Sequence, residues 1–544
     1  MLKSLPVGVD DFTLVRTSGY LFVDKTSRIP LLLKAGSRLF LSRPRRFGKT
    51  TLVSILEKLF REGDRDFEGL EIYGNWPFKE HFNVLRLDFR GLGSSQTIAF
   101  ETDLCQRIVM AVQQAGCEVP DPYADRLETV FLWLGRILSS RDWVLLLDEN
   151  DYPLSCNLHN KQRFEHNRDI LYRFYSFLHR FNGYFRFMFI TGIVRYKETS
   201  LSTGQNFTDI SMKPQFGDLL GYTEEEVSRY FAPYIEVAAQ KTGLRKEALL
   251  TKLKTWYDGF CFDYDARVRV YSPWSVNNFF QAVVNDERPA FTYYWMDSAN
   301  VNASLRKVLR HHPYISPESL EAEGIELSYY DLSDPVRQDT VSVIPLLAQN
   351  GYLTITGTDL NEDNYRDRMF VCKLTNEEIK RAYSKVFLQY VLDLSDVEVS
   401  GVARQAGDAV RRGDVPALLK SFNTILSTVS YQVLNEVSEN LYREILRLCL
   451  LIAGLDARAE NLNHKGQSDL EIVTEQRLMV FEFKRLRDKV TQERVSRILT
   501  QAVRQMEEKQ YGDTLLGAGR EVVRVAAVIS DANRHIESYR ILPE

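Results

Sequence analysis

The eight residues Arg43-Pro44-Arg45-Arg46-Phe47-Gly48-Lys49-Thr50 constrain the fold more than any other stretch. They stand between a short apolar run at 39–41 and a helix-like apolar run at 51–56. Strand, tight loop, Gly-Lys-Thr and helix is the order in which backbone N–H groups and a helix N-terminus cradle a nucleoside triphosphate. In that reading Lys49 reaches the β- and γ-phosphates and Thr50 holds Mg²⁺. One position departs from the usual pattern: the loop normally starts with Gly, and residue 43 is Arg. Five basic residues and no acid lie from Arg38 to Lys49, a charge that a triphosphate would balance.

Two further strand ends support a nucleotide site. The apolar run 144–147 ends in Asp148-Glu149, and a buried parallel strand delivers its last carboxylates to the sheet edge where phosphates lie. Asp148 is expected to act through the Mg²⁺ shell and Glu149 to polarise the attacking water. The run 187–190 ends in Thr191-Gly192, with Arg195 just beyond. Thr191 can sense the γ-phosphate and Arg195 can reach it as a cation. Strand candidates at 39–41, 84–89, 144–147 and 185–190, with a helix at 98–114, predict a parallel sheet covered on both faces.

A chain of 544 residues exceeds the size at which one core stops growing, so three domains are expected, at 1–215, 216–430 and 431–544. The middle region reads as mainly helical, with a capping-box start at 223–226 and aromatic segments at 256–260 and 271–274 packed as turns. A formal charge of −4 excludes a globally basic nucleic-acid binder but not a local basic patch. Six scattered cysteines lack metal-ligand spacing and suit a reducing compartment. No signal-peptide pattern is visible, and no apolar run reaches the ~18–20 residues that span a bilayer. A cytoplasmic protein with no membrane partner is expected.

A second constellation lies near the C-terminus. Residues 468–474 and 477–484 alternate at period 2. Leu470, Ile472, Met479, Phe481 and Phe483 fall on one face, and Asp469, Glu482 and Lys484 on the other. If Glu475-Gln476 is the turn, Asp469 pairs opposite Glu482, with Cβ atoms ~4.5–5.5 Å apart. Two carboxylates so close call for a cation between them, and hard oxygen ligands suit Mg²⁺. Lys484 can position or activate a water. Arg477 to Arg504 carries eight Lys/Arg against three acids, which suits a phosphodiester backbone or a solvated helix face.

These residues carry two family resemblances. The loop at 43–50, with Tyr20-Leu21-Phe22-Val23-Asp24-Lys25-Thr26 before it, resembles the prokaryotic AAA-ATPase-like proteins, in which an Arg replaces the first loop Gly. Residues 147–154 are similar to that family's Asp-Glu-Tyr-Asp-x-Pro signature, with Asn150 in place of the usual Tyr. Thr191-Gly192 and the segments 220–223, 256–260 and 272–276 are similar to further landmarks, so the resemblance spans roughly residues 5–300. It implies that Asp24 and Lys25 lie near a nucleotide held by Arg43, Arg45, Arg46, Phe47, Gly48, Lys49, Thr50 and Thr51, with Asp148, Thr191 and Arg195. Helix, Asp strand, Glu-x-Lys strand and helix resembles the PD-(D/E)XK nuclease fold found at the C-terminus of the same family. Glu439-x-x-Tyr442-Arg443 is similar to its Glu-x-x-Tyr-His, Gly466-Gln467-Ser468-Asp469 to its Gly-Arg-x-Asp, and Gln505-Met506 with Tyr511 to its last helix. Glu439 and Gln505 are therefore further candidates, and the changes at Arg443 and Gln467 bear on substrate handling more than on metal binding.

The fold class expected is α/β: a P-loop NTPase sheet, a helical middle region and a C-terminal nuclease-like α/β domain. The function implied is an ATP-binding and ATP-hydrolysing protein that regulates a Mg²⁺-dependent nuclease, with a role in defence against mobile elements suggested by the family alone. Catalysis would rest on Glu149, Asp469, Glu482 and Lys484, with ATP and Mg²⁺ as cofactors. Nucleic acid is the expected partner, DNA ahead of RNA, and a homo-oligomer is left open. The alternative is a nucleotide-dependent switch or scaffold that binds nucleic acid or a partner without cutting.

Overall fold

The computed structural model describes residues 2–94, 99–139, 143–158, 160–196, 207–295, 315, 317–321, 324–333, 336–337, 340–359, 364–392, 394–428, 439–462, 467–487, 490–511 and 519–542. The chain divides into two compact units, residues 1–308 with 320–379, and residues 309–319 with 380–544.

The first unit is built on a parallel sheet of β1 (Arg38–Ser42), β2 (Asn83–Asp88), β3 (Trp143–Asp148), β4 (Phe185–Gly192) and β5 (Thr208–Asp209), in the order β2-β3-β4-β1-β5. Every neighbouring pair is parallel. Strands covered on both faces read as unbroken apolar runs, and β3 is buried along its whole length. Because all five strands point one way, their C-terminal ends share one edge. There Asp88 aligns with Asp148, and Leu41 with Thr191. The expected helix at 98–114 is Phe100–Gln114, residue 98 lying outside the described residues. The helix Lys49–Glu62 leaves the end of β1 and buries Val53, Leu56, Leu59 and Phe60.

Beyond the sheet, helices within 224–284 share one core with the N-terminal segment. Leu5 and Val23 pack with Phe231, Leu253, Tyr257 and Phe280. The capping box is present, with Thr223 accepting from the Glu226 N–H and Glu226 accepting from the Thr223 N–H. The middle region also holds an antiparallel sheet of β6 (Ile325–Ser328), β9 (Leu353–Thr358) and β10 (Met369–Leu374), in the order β6-β10-β9. A separate two-residue ladder pairs β7 (Val336–Arg337) with β8 (Thr340–Val341). The stretch from 216 to 379 thus mixes helices with short strands and joins the first unit.

The second unit carries a five-stranded sheet of β11 (Asp456–Leu462), β12 (Gln467–Val473), β13 (Arg477–Leu486), β14 (Glu521–Ser530) and β15 (His535–Leu542), in chain order. β13 and β14 run parallel, joined through the helix Gln492–Lys509, and the other pairs are antiparallel. The hairpin between β12 and β13 has the register expected from its period, Leu470↔Phe481 to Val473↔Leu478. Glu475-Gln476 is a poor pair for a tight turn, and Thr474 compensates. Its N–H donates to the Arg477 carbonyl and its Oγ1 accepts from the Arg477 N–H, both at 2.8 Å. Leu470, Ile472, Met479 and Phe481 are fully buried as expected, with the Phe481 ring against Phe422 of the helix Val415–Thr428. The opposite face, expected to be polar, is covered as well. Leu478 and Val480 pack with Leu499, Val503 and Met506 of Gln492–Lys509. Among the described residues no helix is long and apolar enough to cross a membrane.

Candidate functional site

The loop after β1 is tight, because Arg46 and Gly48 take positive φ of 66° and 91°. Gly48 opens the helix Lys49–Glu62 without a side-chain cap, and no acid stands in the first turn. An uncapped helix N-terminus attracts anions through its unsatisfied N–H groups and its dipole. It faces a cavity of about 330 Å³. Lys25, Arg45, Arg46, Lys49 and Arg90 line that cavity against two carboxylates, Asp10 and Glu149. Apolar and aromatic side chains, Leu21, Phe22, Leu220 and Trp274, line it as well. Cations for phosphates and aromatic surface for a base are the two kinds of lining that a nucleotide needs.

Lys49 is buried, with its Nζ 3.0 Å from both the Arg43 and Pro44 carbonyl oxygens and 4.0 Å from Glu149 Oε1. Glu149 follows β3 at a positive φ of 52°, a conformation that clusters at functional positions in non-glycine residues. Burial raises its pKa above the ordinary carboxyl range; Lys49 opposes the shift, and Asp151 and Asp148 add to it. Asp148 is fully buried behind it. Its Oδ1 accepts from Thr191 Oγ1 at 2.6 Å and from the Glu149 N–H at 3.0 Å. Among the described residues its Oδ2 has no hydrogen-bond partner, which leaves an acceptor for a metal-bound water. Asp151 pins the chain beyond β4 by accepting from the Ile193 and Val194 N–H groups.

Of the residues expected here, Lys25, Arg45, Arg46, Phe47, Gly48, Lys49, Thr50, Thr51 and Glu149 line the cavity. Arg43 does not. Its guanidinium is fully buried and donates to the Ser42, Ser211 and Phe216 carbonyls at 2.7–2.8 Å, over the Phe262 ring at 4.3 Å. The residue in place of the first Gly is therefore a brace for the loop. Asp24 is likewise structural in placement, accepting from Thr26 and from the Glu71 N–H. Lys25 donates to Glu226 and to the Asp218 carbonyl, and burial pulls its pKa below the ordinary value. Arg195 is outside the lining, paired with Asp209. Phe47 packs edge-on against Phe260 at 4.8 Å, which gives the 256–260 segment a role beneath the loop.

Sequence reasoning missed Arg90 and Asn277, and it read Tyr222 and Trp274 only as parts of landmark segments, the latter in a turn packed on a core. Arg46 lies 4.1 Å over the Trp274 ring, and Asn277 hydrogen-bonds the Tyr222 hydroxyl at 3.3 Å. Burial lowers the pKa of Arg46, and the neighbouring Arg90 adds to the effect, so an anion here would relieve like-charge repulsion.

In the second unit the paired register of β12 with β13 reaches Leu470↔Phe481, and just beyond it the Phe483 N–H donates to Asp469 Oδ2 at 2.7 Å, next to Glu482 in the chain. Glu482 is buried, and its Oε1 accepts from Lys484 Nζ at 2.7 Å. Gln505 donates to the Tyr511 hydroxyl at 3.1 Å, and burial raises the pKa of that phenol, with Glu482 and Asp469 near enough to add to the shift. The helix Glu439–Ile452 starts at Glu439, whose side chain lies outside those described, as does Gly466. Arg443 donates to Glu318. The basic stretch is partly neutralised, with Arg477 paired to Glu521, Arg485 to Asp531 and Arg504 to Glu508. Among the described residues no three His, Cys, Asp or Glu gather into a metal cluster. Asp469 and Glu482 are hard oxygen donors of the kind that could hold a divalent cation, its shell completed by water and substrate phosphate.

Residues 6–202 match a family described as Predicted AAA-ATPase, and residues 437–539 match the PD-(D/E)XK nuclease superfamily. Lys49 and Glu149 fall in the first region, and Asp469, Glu482 and Lys484 in the second. The chain is also similar to a protein of Azotobacter chroococcum mcd 1 described as an uncharacterized protein in the vnfD 5' region. The two are 26% identical over 551 residues, covering 99% of this chain and 98% of that relative.

Proposed function

We propose that this protein is a nucleotide-regulated nuclease: the first unit binds and hydrolyses ATP, and the second cuts nucleic-acid phosphodiester bonds with Mg²⁺. The observation that carries the reading is on the β12–β13 hairpin, where Asp469 Oδ2 accepts from the Phe483 N–H at 2.7 Å and the neighbouring Glu482 accepts from Lys484 Nζ at 2.7 Å. A metal held by Asp469 and Glu482 would supply Lewis-acid stabilisation of the negative charge that builds on the phosphate. Lys484 orients the attacking water and offers a compact positive charge to the same oxygens. Glu482 holds the Lys484 ammonium in place through their 2.7 Å contact. In the first unit, Lys49 exchanges the two loop carbonyls for phosphate oxygens, and Glu149 takes the proton from the attacking water. DNA ahead of RNA, and defence against mobile elements, are the substrate and role we infer.

The test is cleavage of DNA and RNA in Mg²⁺, with and without ATP, by wild type, Lys484→Ala and Lys49→Ala. Lys484→Ala should lower cleavage at least ~100-fold, in the range seen when a general acid–base group is removed. Lys49→Ala should retain the basal rate but lose its response to ATP. Equal product from wild type and Lys484→Ala would refute the nuclease reading.

A further inference from the structure

Arg90 lies two residues past the end of β2, and Asp88 turns the chain there by accepting the Arg90 N–H at 2.8 Å. The turn aims the guanidinium across the sheet edge. Its Nη2 lies 3.3 Å from Thr50 Oγ1, 3.6 Å from Asp88 Oδ2 and 4.0 Å from Asp10 Oδ2. All three distances exceed the ~2.7–2.9 Å of a formed charge-assisted bond. The side chain is about half exposed, at 51%, and it lines the cavity. Arg195, by contrast, is committed to Asp209 and outside the lining.

We infer that Arg90 contacts the terminal phosphate of the bound nucleotide and makes the pocket prefer a triphosphate to a diphosphate. The inference rests on the nucleotide site proposed above. Thr50 is the loop hydroxyl nearest the end of a bound triphosphate, so a cation touching Thr50 stands where the third phosphate's charge arrives. The loose contacts with Asp88 and Asp10 can be exchanged for phosphate oxygens at small cost. Asp148 and Glu149, at the end of the adjoining strand, keep the guanidinium charged: burial lowers its pKa, but Asp88, Glu149, Asp148 and Asp10 more than offset this and hold it above the ordinary value.

Binding of a non-hydrolysable ATP analogue and of ADP is measured on the full chain, for wild type, Arg90→Ala, Arg90→Lys and Lys49→Ala. Arg90→Ala should weaken the ATP analogue about 10- to 100-fold, the worth of one hydrogen bond to a charged group, and change ADP affinity less than about 3-fold. Arg90→Lys should fall between, and Lys49→Ala should weaken both nucleotides. Equal loss for ATP analogue and ADP in Arg90→Ala, or no loss, would overturn the assignment while leaving the nucleotide site standing. Wild-type protein that binds neither nucleotide would overturn both. Thermal unfolding of Arg90→Ala within a few degrees of wild type identifies the affinity change as local.

Discussion

Replacing Arg43 by Gly would restore the usual first residue of a phosphate loop, and it should damage the protein. The guanidinium serves three carbonyls, and two of them, at Ser211 and Phe216, lie far along the chain. A hydrogen bond to a charged group contributes ~1.5–3 kcal/mol, and three carbonyls lose one each. The substitution also empties the space against the Phe262 ring. Part of this is returned, because the buried charge is itself strained: burial pushes the Arg43 pKa down to about 10, still charged at neutral pH. A net loss of about 3–5 kcal/mol is expected for the first unit. In urea, with a slope of ~3 kcal/mol per M, the midpoint should fall by about 1 M or more. Pulse proteolysis of the full chain across a urea series can follow this. Arg43→Lys keeps the charge but lacks the planar fork, and should lose less. At low temperature, where the Gly variant remains folded, nucleotide affinity should stay within a few-fold of wild type. An unchanged midpoint with a collapse in ATP affinity would refute the reasoning and return Arg43 to the phosphates.

Two other outcomes follow from the same region. Because burial raises the Glu149 pKa, the rise of ATP hydrolysis with pH should fall above the ordinary carboxyl range, and Glu149→Gln should abolish that limb. A folded-state pKa above the unfolded value also means that stability from this group falls as pH rises between the two, measurable as a lower unfolding midpoint in wild type but not in the Gln variant. In Gly192→Ala, the added Cβ would lie 2.6 Å from Asn150 Oδ1 and 2.7 Å from Asp151 Oδ1. Crowding there should cost ~1–3 kcal/mol and slow hydrolysis, by forcing Asp151 off the Ile193 and Val194 N–H groups. Wild-type stability and turnover in this variant would contradict the tight packing between the ends of β3 and β4.

What was legible in the sequence was what periodicity and local spacing determine. The parallel strands announced themselves as apolar runs, since both their faces are covered. The hairpin register could be read because two period-2 runs were separated by a two-residue turn. The direction of Arg43 could not be read, because its partners lie 168 and 173 residues away. The same holds for Arg195, whose pairing with Asp209 depends on β5 lying beside β1. Arg90 carried no local signal at all: a lone Arg after a strand acquires meaning only when Thr50 is beside it. The β6-β10-β9 sheet was missed because its strands are short and far apart in the chain. The cover over the polar face of β13 was foreshadowed by the unbroken apolar run 478–481, which a strand open on one side would not have.

The parallel pairing of β13 with β14 has a consequence for biosynthesis. Arg477 to Leu486 pairs residue by residue with Glu521 to Ser530. The strand bearing Glu482 and Lys484, already paired to β12 on one side, therefore gains its second neighbour only after some forty further residues have been made. Translation at ~5–20 residues per second exposes that edge for seconds, time in which it can pair with another chain. Until then a ribosome-bound chain can carry a finished first unit while Glu482 and Lys484 stand on an unframed strand. Under the function proposed above, the order of the strands would withhold cleavage until the chain's synthesis is nearly done.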